Sequence, residues 1–548
     1  MIDLLIKGGL VVDGTGQPAF RADVGVHGGR IVHVGDPVDA AEVLDARGRI
    51  VAPGFVDIHT HYDAQVLWDP WLTPSCYQGV TTVVAGNCGF TLAPCRPEQR
   101  ETMVGTLESV EDMSGDTLRA GIPWQFETFP EYLDTVDRHG LGVNFGAYVG
   151  HTALRLWAMG DEAHERAATS DEVRAMRDAL QSALRAGAIG FSTDRSRFHR
   201  GDRGRTVPTA VATRGEIESL LRVVGDEGRV AQVNPDDEFD WLYEIQPSVG
   251  CRITWTALVS YPARVAGRTF WRDKLERHRA GFASGAKVRP QVTCRPLSVQ
   301  FSLANPTPFI SAPVFAALMS TPPNERERFY ADESFVAAAR LQLADKRHAN
   351  VPWESIVVAE GADPSLLGKT LGELARRDGR TPFDVMVEIA LANHLETRFL
   401  TIVGNDNEQA VRELLREDGC ILGISDAGAH VSMLCDANMP VDFLAHWVRD
   451  RSVMPLEHGI RKLTSELADF FGLTDRGLLR PGAHADVVVF DIDRLDPGPL
   501  RRVRDLPADG ERLVADQVQG IDHVVVNGTV TCRSGEWQTN LRPGKVLR

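Results

Sequence analysis

Two histidines one residue apart, His59 and His61, lie in the segment APGFVDIHTHYD, residues 52–63. In a strand, side chains two apart point the same way, so both imidazoles can reach one metal ion. The alternative is a pair of strand-end histidines that bond backbone or water, because an isolated HxH recurs by chance. Against that alternative, the pair ends an apolar strand and follows a Pro-Gly step. Cys88 stands in GVTTVVAGNCGFTLAPCRP, residues 79–97, just beyond the C-terminal end of the next strand. A thiolate is a strong zinc ligand and flanking glycines leave it backbone room, although a free cysteine also packs well as a small apolar residue. Asp426 ends a further strand in CILGISDAGAH, residues 420–430, and by itself reads as an N-cap or turn aspartate. His430, four residues on, is a candidate second-layer or substrate contact.

These residues need a scaffold that gathers strand ends. Thr169 and Glu172 form a capping box, Val173, Met176, Leu180, Ala183 and Leu184 follow at helical spacing, and the strand AIGFST comes next. The unit recurs: Thr213 and Glu216 make a second capping box, Ile217, Leu220, Leu221 and Val224 form the stripe, and RVAQV follows Gly228. Helix then strand, repeated, implies a parallel sheet. Eight barrel strands are expected to begin near Phe55, Val80, Val143, Ala188, Arg229, Arg252, Lys287 and Cys420. The last interval is too long for a simple crossover, so residues from about 296 to 380 are expected to form an insertion over the barrel mouth, where long loops act as lids.

The first fifty residues alternate apolar runs with Gly or Asp turns, and ADVVVFD and DHVVVNGTV repeat that style near the C-terminus. The expected class is α/β: a (β/α)8 TIM-like barrel over 53–475, with a small β-sandwich formed from both chain termini, 1–52 and 476–548, and a long insertion before the last barrel strand. The formal charge of -16 and the lack of a Lys/Arg run argue against a nucleic-acid partner. No stretch reaches the ~18 to 20 apolar residues that span a bilayer. Eight unpaired-looking cysteines and an N-terminus without a leader pattern point to free thiols in a reducing cytoplasm. A small-molecule substrate is expected, and a homo-oligomer is left open.

PGFVDIHTHYD resembles the first barrel strand of the amidohydrolase superfamily, and HTHYDAQ with GNCG is similar to the D-aminoacylase branch, in which a cysteine serves as a zinc ligand. GHTALR, AGAIGFSTD, and WESIVVAEG with the segment after it extend the likeness over most of the chain. The resemblance implies a metal-dependent hydrolase of a small amide, close to the N-acyl-D-amino-acid deacylases. It makes Asp426 a metal ligand and general base, which suits a carboxylate placed to take the proton of a water acidified by a metal.

The chain also departs from the pattern. Related two-metal enzymes supply histidines from the fifth and sixth strands, where this chain has Gln232, Asn234 and Thr256, and no lysine occurs between Lys7 and Lys274 to be carboxylated. One zinc on His59, His61 and Asp426, with Cys88 as an additional ligand, is therefore expected, and a full binuclear site is not. An N-acyl amino acid carries a carboxylate that an arginine would grip, so Arg155, Arg195 and Arg295 are candidates, each with a plain salt bridge as its alternative. His151 could orient the scissile carbonyl. Asp236, Asp237 and Glu238 are expected to face solvent. The rival functions are a hydrolase of a cyclic amide or another C–N bond, and a metal-poor binding or assembly protein.

Overall fold

The computed structural model describes residues 2–196, 199–261, 270–345 and 352–548; of Arg203 only the backbone is described. Eight strands form one parallel sheet in sequential order: β1 Phe55–Thr60, β2 Val80–Ala85, β3 Asn144–Gly150, β4 Gly190–Asp194, β5 Val230–Asn234, β6 Arg252–Trp255, β7 Val288–Val292 and β8 Ile421–Leu422. A parallel bridge from Thr60 to Ala427 joins the first and last strands and closes the barrel. Each expected strand start lies within two residues of an observed one. Alternation explains how β1 serves two faces. Val56 and Ile58 pack with Leu467, Phe470 and Phe471 of the helix Ser465–Phe471, while Asp57 and His59 point into the barrel.

The Thr169 capping box forms as expected, with Glu172 Oε2 accepting from the Thr169 amide at 2.7 Å. The Thr213 box forms only by half. Thr213 Oγ1 accepts from the Glu216 amide at 3.1 Å, but the Glu216 carboxylate turns inward to Arg155 instead of back to the cap. A buried guanidinium outcompetes an exposed amide for that carboxylate.

Strands from both ends of the chain share a nine-stranded sheet, in which Val487–Phe490 pairs with Ile50–Pro53 on one side and Ile521–Val526 on the other. Residues Pro296–Asn407 form a second compact unit with a core of its own and a three-stranded antiparallel sheet. The expected end near residue 380 falls inside this unit, because the sheet's central strand, Arg398–Gly404, lies beyond it. Every cysteine is a free thiol. Among the described residues no helix is long and apolar enough to cross a membrane.

Candidate metal centre

His59 is the penultimate residue of β1 and is fully buried; His61 lies just past the strand end and is buried too. Cys88 comes from the turn after β2, and Asp426 from the segment after β8. Asp426 Oδ1 lies 3.0 Å from His59 Nε2 and 3.7 Å from His61 Nε2, and Cys88 Sγ lies 3.6 Å from His59 Nε2. The donor atoms of His59, His61 and Cys88 all fall within 4.8 Å of one another, the one such cluster among the described residues. Two imidazoles and a thiol form this cluster and the Asp426 carboxylate borders both imidazoles, a mixed N, S and O set that suits a zinc-like cation.

The backbone is strained where it delivers these groups. Cys88, Ile424, Asp426 and His430 all have φ between 45° and 62°, a left-handed conformation that is uncommon outside glycine and that concentrates at functional sites. Hydrogen bonds hold the Cys88 turn: its amide donates to Gln232 Oε1 at 2.7 Å, and the Gly89 amide to Ser192 Oγ at 3.0 Å. Gly428 has φ +90°, and a Cβ there would sit 2.8 Å from the His61 carbonyl oxygen, so the chain after Asp426 needs a glycine to pass β1.

Electrostatics follow from the crowding. Burial opposes charge on His59, yet the Cys88 and Asp426 anions outweigh it and raise the imidazole to about 10. Burial likewise opposes charge on His61, which Glu111, Asp426 and Cys88 overcome. Burial would raise Asp426, but the two imidazoles hold its carboxyl well below the usual range; Cys88 is lowered against burial in the same way. The centre thus favours anionic oxygen and sulfur around a shared positive charge.

Three features at this centre were not anticipated. Gln291 of β7 places its Oε1 2.6 Å from His59 Nδ1, and Glu111, at the end of the helix Arg100–Glu111, places Oε1 3.1 Å from His61 Nδ1. The Gln291 bond occupies the far ring nitrogen of His59, the usual way in which an outer acceptor fixes a ligating histidine, and the Glu111 carboxylate stands beside the far nitrogen of His61 at ion-pair distance. Gln291 was accessible to strand alternation; Glu111 lies in an excursion between strands with no signal of its own. The third is the contact of His199 Nδ1 with Asp194 Oδ2 at 2.7 Å, which, against burial, raises that imidazole to about 9.

The positions where a second set of histidines was sought are otherwise used. Gln232 Nε2 donates to Thr256 Oγ1 at 2.9 Å while its Oε1 holds Cys88, and Asn234 Oδ1 lies 3.5 Å from the Asp236 amide. A bonded amide–hydroxyl pair does not suit a second zinc.

The structure separates the substrate-binding candidates. Arg155 is fully buried, 2.5 and 2.7 Å from the two oxygens of Glu216, and His151 Nε2 sits 2.9 Å from the same carboxylate while Nδ1 contacts Thr193 Oγ1 at 2.8 Å. Arg195 pairs with Glu238 at 2.8 Å, and Arg295 with Asp436 at 3.2 Å and Asp442 at 3.1 Å. His430 is half-buried beside Glu111, whose carbonyl accepts from its amide at 2.5 Å. The acidic run expected in solvent is instead half-buried: Asp237 pairs with Lys274 and Glu238 with Arg195, because the run follows β5 at the crowded C-terminal rim.

Residues 42–532 match the sequence profile of a family described as "Amidohydrolase family". The chain is 30% identical over 554 residues to the D-aminoacylase of Alcaligenes xylosoxydans xylosoxydans, covering 100% of this chain and 97% of that protein. A crystal structure of D-aminoacylase matches with TM-score 0.70 at 26% identity, covering 100% of both chains. The N-acyl-D-glutamate deacylase of Bordetella bronchiseptica, solved with zinc and a phosphonate inhibitor, matches with TM-score 0.67 at 28% identity over 100% of this chain and 99% of that one. With a closed parallel barrel that gathers a His, His, Cys and Asp set at its strand ends, the chain belongs to the amidohydrolase family and is a metal-dependent hydrolase of carbon–nitrogen bonds other than peptide bonds.

Proposed function

We propose that this protein removes the N-acyl group from a D-amino acid, with one zinc ion held by His59, His61, Cys88 and Asp426. The observation that carries the reading is the approach of Asp426 Oδ1 to both imidazoles, 3.0 and 3.7 Å, beside the Cys88 thiol. A divalent cation bound there supplies Lewis acidity to a water and to the amide carbonyl. Asp426 takes a proton from the attacking water as the carbon–oxygen bond forms. It then hands that proton to the nitrogen as the carbon–nitrogen bond breaks, so one water yields a carboxylic acid and an amine. His59 and His61 orient Asp426, while Gln291 and Glu111 orient the imidazoles. His430 and Arg295 are the proposed substrate contacts. His151 and Arg155 are both engaged by the buried Glu216 carboxylate. The protein is proposed to act in the cytoplasm.

The likeness to two D-amino-acid deacylases supports the substrate class. The Gln232–Thr256 pair favours one specific alternative: a different amide, such as a cyclic one, handled by a remodelled rim. A panel of N-acyl-D-amino acids, N-acyl-L-amino acids and cyclic amides separates the two. Replacing Asp426 by Asn on the best substrate is expected to lower turnover by at least ~10²-fold with most metal retained. Turnover near the parent rate would assign the base elsewhere.

A further inference from the structure

The face of the barrel away from the metal centre carries a second concavity. Arg252 opens β6, and Lys287 and Arg289 stand at the start of β7, so these cations lie at the N-terminal ends of strands whose C-terminal ends face the catalytic groups. With Arg461 they line a cavity of about 430 Å³, within the ~300 to 1,000 Å³ typical of small-ligand sites. Glu466 and Asp469 also reach it, leaving a local excess of two positive charges on a chain whose formal charge is -16.

The cations are incompletely neutralised. Arg252 donates to the backbone carbonyl of Asp469 at 2.8 Å rather than to a carboxylate. Arg289 is 3.6 Å from Glu466, which it shares with Lys462 at 3.9 Å. Among the described residues, Lys287 and Arg461 have no acidic side chain in ion-pair range. Two rings complete the site: the Arg289 guanidinium carbon lies 5.9 Å from the centre of the Phe282 ring and 5.7 Å from that of Phe470. Both distances lie within cation–π range, so the two rings help to hold the guanidinium. Phe282 is 37% exposed, one of few large apolar side chains left to solvent. A merely solvated face would intersperse its charges. Here cations converge on a concavity with an aromatic wall, an arrangement that raises the local concentration of anions.

We propose that this cavity binds a small organic anion that combines a phosphate or similarly charged group with a flat ring, the chemistry of a nucleotide. Arg252, Lys287 and Arg461 hold the charged group, and the ring lies against Phe282. The site is separate from catalysis and does not depend on the substrate assignment. Calorimetric titration of the metal-loaded protein with ADP, inorganic phosphate and adenosine tests it, using the parent and a Lys287→Ala, Arg461→Ala double variant. Both side chains are exposed, so the variant is expected to fold and to keep its hydrolytic rate. The expected result is ADP bound at least about tenfold more tightly than phosphate, no binding of adenosine, and an ADP affinity about tenfold weaker in the variant. ADP that binds no tighter than phosphate overturns the ring contact, and ADP binding unchanged in the variant overturns the location. Absence of ADP binding at ~1 mM overturns the site.

Discussion

Replacing Glu216 by Gln is expected to damage the fold far more than the chemistry. Glu216 is 1% exposed in its side chain and accepts from Arg155 Nη1 at 2.5 and 2.7 Å, while Arg155 is fully buried and its Nη2 donates to the carbonyls of Ala163 and Arg166. Removing the carboxylate charge leaves a guanidinium without its counterion in a place water does not reach. Breaking a buried pair in this way costs about 3–5 kcal/mol, because the surviving charge keeps its desolvation penalty and loses its Coulomb partner. At a urea dependence near ~3 kcal/mol/M, the midpoint should fall by roughly 1–1.7 M. Circular dichroism and tryptophan fluorescence followed together establish whether one transition is being read. In an Arg155→Met, Glu216→Gln double variant, part of the loss should return, since the stranded charge is gone and the amide still meets His151 Nε2. KM of the folded single variant should stay near the parent value. A loss under about 1 kcal/mol with a large rise in KM would refute the reasoning and return Arg155 to the role of a substrate-carboxylate ligand.

Elemental analysis of the purified protein is expected to find about one tightly held divalent ion per chain, since Gln232 and Thr256 bond each other where a second set of ligands would be needed; two fully occupied zinc ions would contradict this. Glu111→Gln should weaken metal affinity by ~10 to 100-fold, measured by competition with a chelating dye, because the carboxylate is the charged group beside His61 Nδ1. Parent-like metal binding would make that contact incidental. His278, held neutral down to about 4 by burial and bonded to Tyr243 at 2.9 Å, makes stability acid-sensitive. Its folded value lies below the ordinary imidazole value of about 6.5, so the unfolded chain gains the proton first. Stability present above pH 6.5 is therefore lost as pH falls toward 4, by about 3 kcal/mol in full. His278→Gln should flatten that slope in urea titrations at several pH values, and an unchanged slope would place the sensitivity elsewhere.

Much of this protein was legible before folding, because its signals are local. Strand alternation aims His59 and His61 the same way whatever lies around them, and capping residues with apolar stripes mark each helix and strand of the barrel. The HTH, GNCG and SDAGAH segments likewise name three of the pieces that meet, since barrel closure brings the first and last strands together through Thr60 and Ala427. Other outcomes depended on which groups compete in space. Glu216 reads as the second half of a capping box, yet a guanidinium from another helix captures it, and no local rule ranks those partners. Arg155 and His151 read as substrate groups for the same reason: nothing in GHTALR says that their polar atoms face one buried carboxylate. Glu111 reaches His61 from a helix inserted between two strands, and the strain at Cys88 and Asp426 exists only because neighbouring turns hold them. The charge excess around Arg289 joins residues from three parts of the chain that are unremarkable singly. Periodicity and capping act over a few residues and so survive in a linear reading, whereas desolvation and pairing act between atoms that only the folded chain brings within a few ångströms.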